Sequence, residues 1–130
     1  MDTYLYPFFV TQKKTKITIV FPDFPDIQAT AERLDVVYAA AIEALSKHLY
    51  TLWMANEVLP TPSEWESLVV PSGSRPFLAS IAQQVVLDTY GSKPVKKMVS
   101  IPSWMNVQAE HAGLSLSKVL QQALKERLSK

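Results

Sequence analysis

The first 30 residues contain short apolar runs separated by polar turns. Residues 4–11 are rich in aromatic and β-branched side chains, residues 16–21 repeat the pattern, and residues 27–30 form a shorter segment. Such side chains favour extended backbone, so the runs predict a hairpin followed by a third strand. Because proline has no N–H to give to a ladder, Pro7 predicts that the first strand lies at a sheet edge or begins there.

A long amphipathic segment follows the third run. Apolar side chains recur every three or four positions over residues 31–56, which places them on one face of a helix. Thr30 and Asp35 are the two candidates for its N-terminal cap, since both side chains accept hydrogen bonds from free N–H groups. Asn56 and the two prolines of residues 59–63 end the helix.

The segment after these prolines is less regular. Residues 64–70 predict a short strand, and residues 77–87 predict another strand, with a helix as the alternative. Glycine and proline in residues 90–94 mark a linker. The pattern therefore predicts an α+β domain over residues 1–90.

An isolated strand is predicted near the end of the chain, where residues 95–101 alternate. Successive side chains of an extended backbone point to opposite sides. One side carries Lys97, Val99 and Ile101, and the other carries Lys96, Met98 and Ser100. The first side is mostly branched and apolar and the second is polar and basic, so each suits a different contact.

Two short helices are predicted after this strand. Pro102 and Ser103 suit the first turn of one helix, and Gly113 suits its C-terminal end. Ser115 is a good N-cap for a second helix, whose apolar side chains recur at helical spacing. Residues 94–130 are therefore expected to follow the order strand, helix, turn, helix.

This tail segment of about 37 residues is too short to bury a core alone, since chains below about 40 residues need a metal, disulfides or a partner. The simplest solution is a homodimer in which two copies of the strand pair about a twofold axis and the helices clasp them. A two-stranded ribbon of this kind fits the major groove of B-DNA. The side chains expected to contact DNA are Lys96, Lys97, Met98, Ser100, Ser115 and Ser117.

Charge is divided unevenly along the chain. Residues 1–93 carry seven basic and ten acidic side chains, whereas residues 94–130 carry six basic and two acidic ones. A basic tail suits a polyanion. The chain has no cysteine and no apolar run near the ~18 residues that span a bilayer, and its first residues lack the positive charge of a signal peptide. We therefore expect a cytoplasmic protein with no membrane contact.

Residues that could carry chemistry are few. Asp23 and Asp26 belong to a group of carboxylates that could hold Mg²⁺, but they lie in a proline-broken turn where aspartate makes local hydrogen bonds. His48 and His111 have no second ligand at metal-binding spacing. We expect no catalytic residue, no metal site and no cofactor.

Aromatic side chains are expected to lie mainly in the core. The phenylalanines in question are Phe8, Phe9, Phe21 and Phe24, of which one or two are available to a partner. The same expectation covers the tryptophans Trp53, Trp65 and Trp104.

Several motifs occur in a fixed order along the chain. They are YPFFV (6–10), VFPDFPDIQATA (20–31), an alanine-rich helix, NEVLPTPSEWESL (56–68), and a tail with the strand KKMVSIP and the turn Gly113-Leu114-Ser115. The ordered set resembles the HicB antitoxin family over nearly the whole chain. The tail resembles a ribbon-helix-helix domain, the class to which several β-ribbon readers of DNA belong.

The resemblance implies both fold and function. HicB-like proteins bind and neutralise HicA, a small mRNA-cleaving toxin, and their tail represses the operon of the pair by binding operator DNA. Residues 1–90 are then a partial RNase H-like domain, an antiparallel sheet packed on one long helix. Residues 94–130 are a ribbon-helix-helix domain that forms a homodimer or a higher assembly. The residues expected to touch the toxin are Phe9, Asp23, Phe24 and Asp26.

Two other functions remain open. A repressor with a ligand-sensing N-terminal domain would have a small-molecule pocket and no toxin gene beside it. A divergent RNase H-like nuclease would need several converging carboxylates, and the sequence offers no convincing set. We expect an antitoxin that acts by steric and electrostatic masking and is not an enzyme.

Overall fold

The computed structural model describes residues 2–129, which divide into two compact units on either side of the Lys93–Pro94 bond. The first unit contains four strands in an antiparallel sheet of order β3-β2-β1-β4. They are β1 (Thr3–Gln12), β2 (Ile17–Val20), β3 (Ala29–Ala31) and β4 (Ser74–Ala82). The predicted hairpin and third strand are confirmed, and the third strand lies slightly later than residues 27–30.

Four helices complete the fold. They are α1 (Val37–Met54) and α2 (Gln83–Tyr90) in the first unit, and α3 (Ser103–His111) and α4 (Leu116–Leu128) in the second. Across residues 2–129, no helix combines the length and apolar character that a membrane crossing requires.

β1 is one of the two inner strands of the sheet, beside β2. It pairs with β2 from Phe9 to Gln12 and with β4 from Thr3 to Thr11. Pro7 therefore lies in the half of β1 that only β4 pairs, where a missing N–H removes no bond to β2. The predicted edge position thus holds for this half of the strand and not for β1 as a whole.

The main core lies between the sheet and the two helices of the first unit. Alternate residues of β1 point into it, and it includes Tyr6, Phe8, Val10, Ile17, Ile19, Leu45, Leu49 and Val86. Full burial of a leucine or phenylalanine side chain contributes about 1.5–3 kcal/mol. This layer is therefore the main source of the first unit's stability.

α1 begins later than predicted and has no side-chain cap. A 3₁₀ turn covers Leu34–Val36, and Val36 is the N-cap residue of α1. Arg33 Nε lies 3.2 Å from Asp35 Oδ1. The expected capping by Thr30 or Asp35 is wrong, because Thr30 belongs to β3 and Asp35 lies within the 3₁₀ turn.

α1 ends at Met54, two residues before Asn56, the residue that the sequence placed at the end of the helix. Asn56 has a left-handed φ of 56°. Its N–H bonds to the Trp53 carbonyl at 3.1 Å, and the Glu57 N–H bonds to the Leu52 carbonyl at 3.0 Å. This is the Schellman pattern, in which asparagine tolerates the left-handed conformation and the last carbonyls are satisfied.

Between α1 and the linker, one sequence prediction fails and another is right in part. Residues 64–70 form no strand, and Trp65–Ser67 is a 3₁₀ turn. Residues 77–87 are strand as far as Ala82 and helix afterwards. Ala82 pairs with Thr3, the first residue of β1, so the chain has no strand to pair with beyond that point and turns into a helix.

The outer edge of β4 is closed by a side chain from α1. The Tyr38 hydroxyl accepts a hydrogen bond from the Ser80 N–H and donates one to the Leu78 carbonyl, both at 3.4 Å. On the same side of the strand, the Ser74 N–H bonds into the preceding turn and Pro76 has no N–H. These are the groups to which a neighbouring strand would bond, so β4 is a poor template for further pairing.

The helices of the second unit begin and end as predicted. Gly113 follows α3 with a left-handed φ of 68°. Ser115 caps α4, its Oγ accepting from the Lys118 N–H at 3.5 Å. Residues 94–102 form neither a helix nor a ladder within the chain. The strand predicted over residues 95–101 would need a second copy to pair with, so it stays a prediction.

Candidate functional site

The residues expected to touch a toxin differ in how far they reach the surface. Phe9 is 6% exposed and Phe24 is 3% exposed. Phe24 packs edge to face against Tyr6 and His48, with ring centroids 4.7 and 5.4 Å apart. Asp26 is exposed. Asp26 is therefore the most exposed of these residues and Asp23 is half-buried, and contact of any of them with a toxin stays a prediction.

Asp23 links the FPDFP turn (residues 21–25) to the proline-rich loop that follows α1 (residues 60–69). Its Oδ2 accepts a hydrogen bond from the Ser63 N–H at 3.0 Å, and its Oδ1 accepts one from the Ser63 hydroxyl at 2.6 Å. Both carboxylate oxygens therefore hold this loop in place, a role that the sequence indicated only as local hydrogen bonding in a turn.

A second bond fixes the same loop. The Tyr6 hydroxyl donates to the Pro60 carbonyl at 2.7 Å. Burial raises the pKa of Tyr6 above its ordinary value of 10.0, and the negative charge of Asp23 raises it further. The phenol therefore stays protonated and remains a donor at physiological pH.

The loop, which we call the strap (residues 60–69), covers the sheet face opposite α1. Pro7 and Phe9 point away from α1 because they alternate with the core residues of β1, yet both are buried. Strap residues Ser63, Leu68 and Val69 line one cleft with Phe9. The signal for this cover was the uninterrupted apolar run of residues 6–10, since a strand buried on both faces does not alternate.

The carboxylates of the first unit do not converge. Asp23 is bonded to Ser63, and Asp35 faces Arg33. Within residues 2–129, no group of three histidine, aspartate or glutamate side chains is placed to share a metal ion.

The second unit leaves its apolar side chains in water. Among residues 94–129, Ala109 is half-buried and every other residue is exposed. The large apolar side chains exposed on α4 and the preceding segment include Val99, Ile101, Leu116, Val119, Leu120 and Leu124. A groove in this unit is lined by several of them. Apolar stripes of this length are normally covered in a folded protein.

The residues expected to contact DNA fall into two places. Lys96, Lys97, Met98 and Ser100 lie on the unpaired segment before α3, while Ser115 and Ser117 lie at the start of α4. The groove brings Lys97, Met98 and Ser117 together. Met98 is fully exposed.

Two of the three tryptophans are not core residues, contrary to expectation. Trp65 is 49% exposed and Trp104 is 59% exposed, whereas Trp53 is half-buried with its ring 5.7 Å from that of Tyr4. Helical or strand spacing marks an apolar face, but it does not tell whether the chain itself covers that face.

Known structures resemble this chain although sequence comparison finds little. No protein-family model matches it, and no curated protein matches it significantly. The Burkholderia pseudomallei antitoxin HicB is 25% identical, with 97% of this chain and 99% of that chain covered and a TM-score of 0.57. The chain has a HicB-like fold. The HicB-like fold confirms the expected α+β class, while the RNase H-like and ribbon-helix-helix assignments stay predictions.

Two further solved structures are similar to this chain. A chain of a toxin–antitoxin complex from Streptococcus pneumoniae is 22% identical, with 97% of this chain and 99% of that chain covered and a TM-score of 0.61. A chain of a HicA3 and HicB3 toxin–antitoxin complex is 18% identical, with 58% of this chain and 94% of that chain covered and a TM-score of 0.50. The first of these likenesses extends across both units.

Proposed function

We propose that this chain is an antitoxin whose first unit binds and masks a HicA-type, mRNA-cleaving toxin. The observation that carries the proposal is the HicB-like fold, shared over 97% of the chain with an antitoxin named HicB. A similar chain is part of a complex named for HicA3 and HicB3. The excess of acidic over basic side chains in residues 1–93 suits a basic, RNA-binding partner. Masking needs no chemistry from this chain.

The second unit is proposed to form a homodimer that binds operator DNA and represses the operon. Its exposed apolar side chains support a second copy as their cover, since the segment is too short to bury a core alone. Pairing of residues 95–101 across a twofold axis would double Lys96 and Ser100 on one ribbon. Such a ribbon, with six basic and two acidic side chains in its unit, suits the major groove.

Co-expression tests the antitoxin role. The chain is expressed from one promoter and the small basic protein encoded beside it from another, and growth and mRNA integrity are followed. We expect the small protein alone to stop growth and co-expression to restore it, with the two proteins purifying as one complex. A neighbour that is harmless, or toxicity that persists with no complex formed, would overturn the proposal. Repression without toxin binding would favour the ligand-sensing repressor.

Sedimentation of the full chain tests the homodimer. Leu120 lines the groove of the second unit, so Leu120→Asp should leave monomers. Leu128→Asp is the matched control, because Leu128 is on the same helix but is 79% exposed and lies outside the groove lining. A dimer that survives Leu120→Asp would remove this packing scheme.

Operator binding at several salt concentrations tests the ribbon. Each phosphate contact contributes about 0.9 to the slope of log K against log salt, so Lys96→Ala, which removes two symmetric contacts, should lower the slope by about 2. Ser100→Ala should also weaken operator binding, with toxin neutralisation kept in both variants. Lys47→Ala, in the first unit, serves as the control. A salt-independent affinity, or equal loss of both activities, would contradict the division of labour.

A further inference from the structure

The sheet face beneath the strap is incompletely covered. Pro7 pairs with Leu78, and Phe9 pairs with Val20, so these four side chains lie on the face opposite α1. Pro7 and Phe9 are buried, but Leu78 is 40% exposed and Val20 is 44% exposed. The strap therefore crosses the middle of this face and leaves apolar side chains open on either side of it.

The strap itself is held firmly in place. The bond from Tyr6 to the Pro60 carbonyl fixes its start, and the two bonds between Asp23 and Ser63 fix it three residues later. The 3₁₀ turn of Trp65–Ser67 follows directly. A segment ordered before binding loses less conformational entropy when a partner docks, so the strap is suited to present side chains.

Apolar side chains surround the strap on both sides. Leu5, Leu78 and Trp65 line the cleft on one side, and Phe9, Leu68 and Val69 line the cleft on the other. Trp65 is 49% exposed and Val69 is 88% exposed. We call these six residues the docking face, in which Phe9 is buried and the other five are exposed or half-buried. Exposed apolar side chains that cluster on a surface mark an interaction site, and tryptophan is enriched among the residues that dominate binding energy.

The charge beside the docking face identifies the kind of partner. Glu64 and Glu66 of the strap are exposed. Within residues 2–129, the ion pairs join Arg33 to Asp35 and Lys47 to Glu43, so neither strap glutamate is neutralised. The lysine-rich turn after β1 lies beyond the Phe9 end of the docking face, at the opposite end of that strand from Leu5. Two docking faces placed together would bring these glutamates into repulsion, whereas a basic protein would attract them.

We propose that the docking face is the surface on which the basic RNA-cleaving toxin sits, with Trp65 as the central anchor and Glu64 and Glu66 paired to toxin cations. The inference rests on the proposed antitoxin function and names its contact surface. It also gives the strap a task beyond covering Pro7 and Phe9. The toxin-binding surface is thus placed on the sheet face opposite α1.

Titration of the full chain with purified toxin by calorimetry tests the surface. Trp65→Ala should weaken binding about 30-fold or more, since a tryptophan hot spot is worth 2 kcal/mol or more. Trp104→Ala is the matched control, an exposed tryptophan of the second unit, and should bind as the wild type does. Circular dichroism confirms folding, and Leu78→Glu, at a position already 40% exposed, provides a second variant with an expected loss of similar size.

Charge reversal provides an independent readout. Glu66→Lys should slow association several-fold at low salt and reduce its salt dependence, while Glu43→Lys on α1 should not. If the wild type binds the toxin and both Trp65→Ala and Leu78→Glu bind it with the same affinity, the docking face is wrong but the antitoxin function stands. No binding by the wild type would instead refute the function. If Trp65→Ala lowers the oligomer size in sedimentation and leaves toxin affinity intact, a second copy covers the face and the proposal is wrong.

Discussion

Removal of the Asp23 carboxylate is the sharpest test of how the strap is held. Asp23→Ala deletes the acceptor for the Ser63 N–H at 3.0 Å and for the Ser63 hydroxyl at 2.6 Å. A hydrogen bond to a charged group contributes about 1.5–3 kcal/mol, and both groups of Ser63 can turn to water here because the site is half-buried. The two bonds share one partner and are not additive, so we expect a total loss of about 2–3 kcal/mol.

Urea unfolding at one fixed chain concentration measures this loss. Ser63→Ala removes the hydroxyl bond and keeps the N–H bond, so it should cost less, about 1–1.5 kcal/mol. The double variant should unfold like Asp23→Ala, since nothing remains for the second change to remove. Tryptophan fluorescence follows the transition, and Trp65 lies two residues from Ser63.

Two results would refute this account of the strap. One is a stability for Asp23→Ala within about 0.5 kcal/mol of the wild type, the range of an ordinary surface change. The other is a double variant that loses the full sum of the two single losses, because independent effects would mean that the two side chains do not act on each other.

Three further changes test the core, the sheet edge and the buried phenol. Leu45→Ala, at a fully buried position, should cost about 2–5 kcal/mol in urea unfolding, whereas Leu34→Ala, 62% exposed, should cost under about 0.5. Tyr38→Phe frees the Ser80 N–H and should hasten aggregation on heating, measured by light scattering; unchanged scattering would mean that the hydroxyl does not guard the edge. Because the pKa of Tyr6 is raised in the folded state, its phenol contributes stability fully below about pH 10, and this contribution is lost as pH rises from there through the folded-state pKa. Tyr6→Phe should therefore reduce the loss of stability at alkaline pH, measured by unfolding at a series of pH values.

The features that sequence predicted well are those determined by residues close together in the chain. Gly113 and Ser115 define a helix end and a helix start through conformation and capping that need no distant contact. The strands β1 and β2 follow from their own side chains. The start of α1 was missed because Val36, a residue with no capping side chain, occupies the N-cap position.

The features that sequence missed depend on residues far apart in the chain. Asp23 and Ser63 are 40 positions apart, and Tyr38 and Ser80 are 42 apart. Neither pair has a spacing that any local pattern records. Residues 64–70 were likewise misassigned as a strand, since the apolar residues of the strap cover a sheet face instead of joining a ladder. The strand predicted in the tail would pair with a second molecule, so a single chain cannot display that pairing.

The Tyr38 hydroxyl has a consequence for crowding. If the second unit joins two copies into a dimer, the two first units have an effective concentration in the millimolar range with respect to each other. At that concentration, unprotected edge strands would pair with each other and form a continuous sheet. Because the Tyr38 hydroxyl occupies the Leu78 carbonyl and the Ser80 N–H, the first units of two tethered copies would stay separate, and each could bind its own partner.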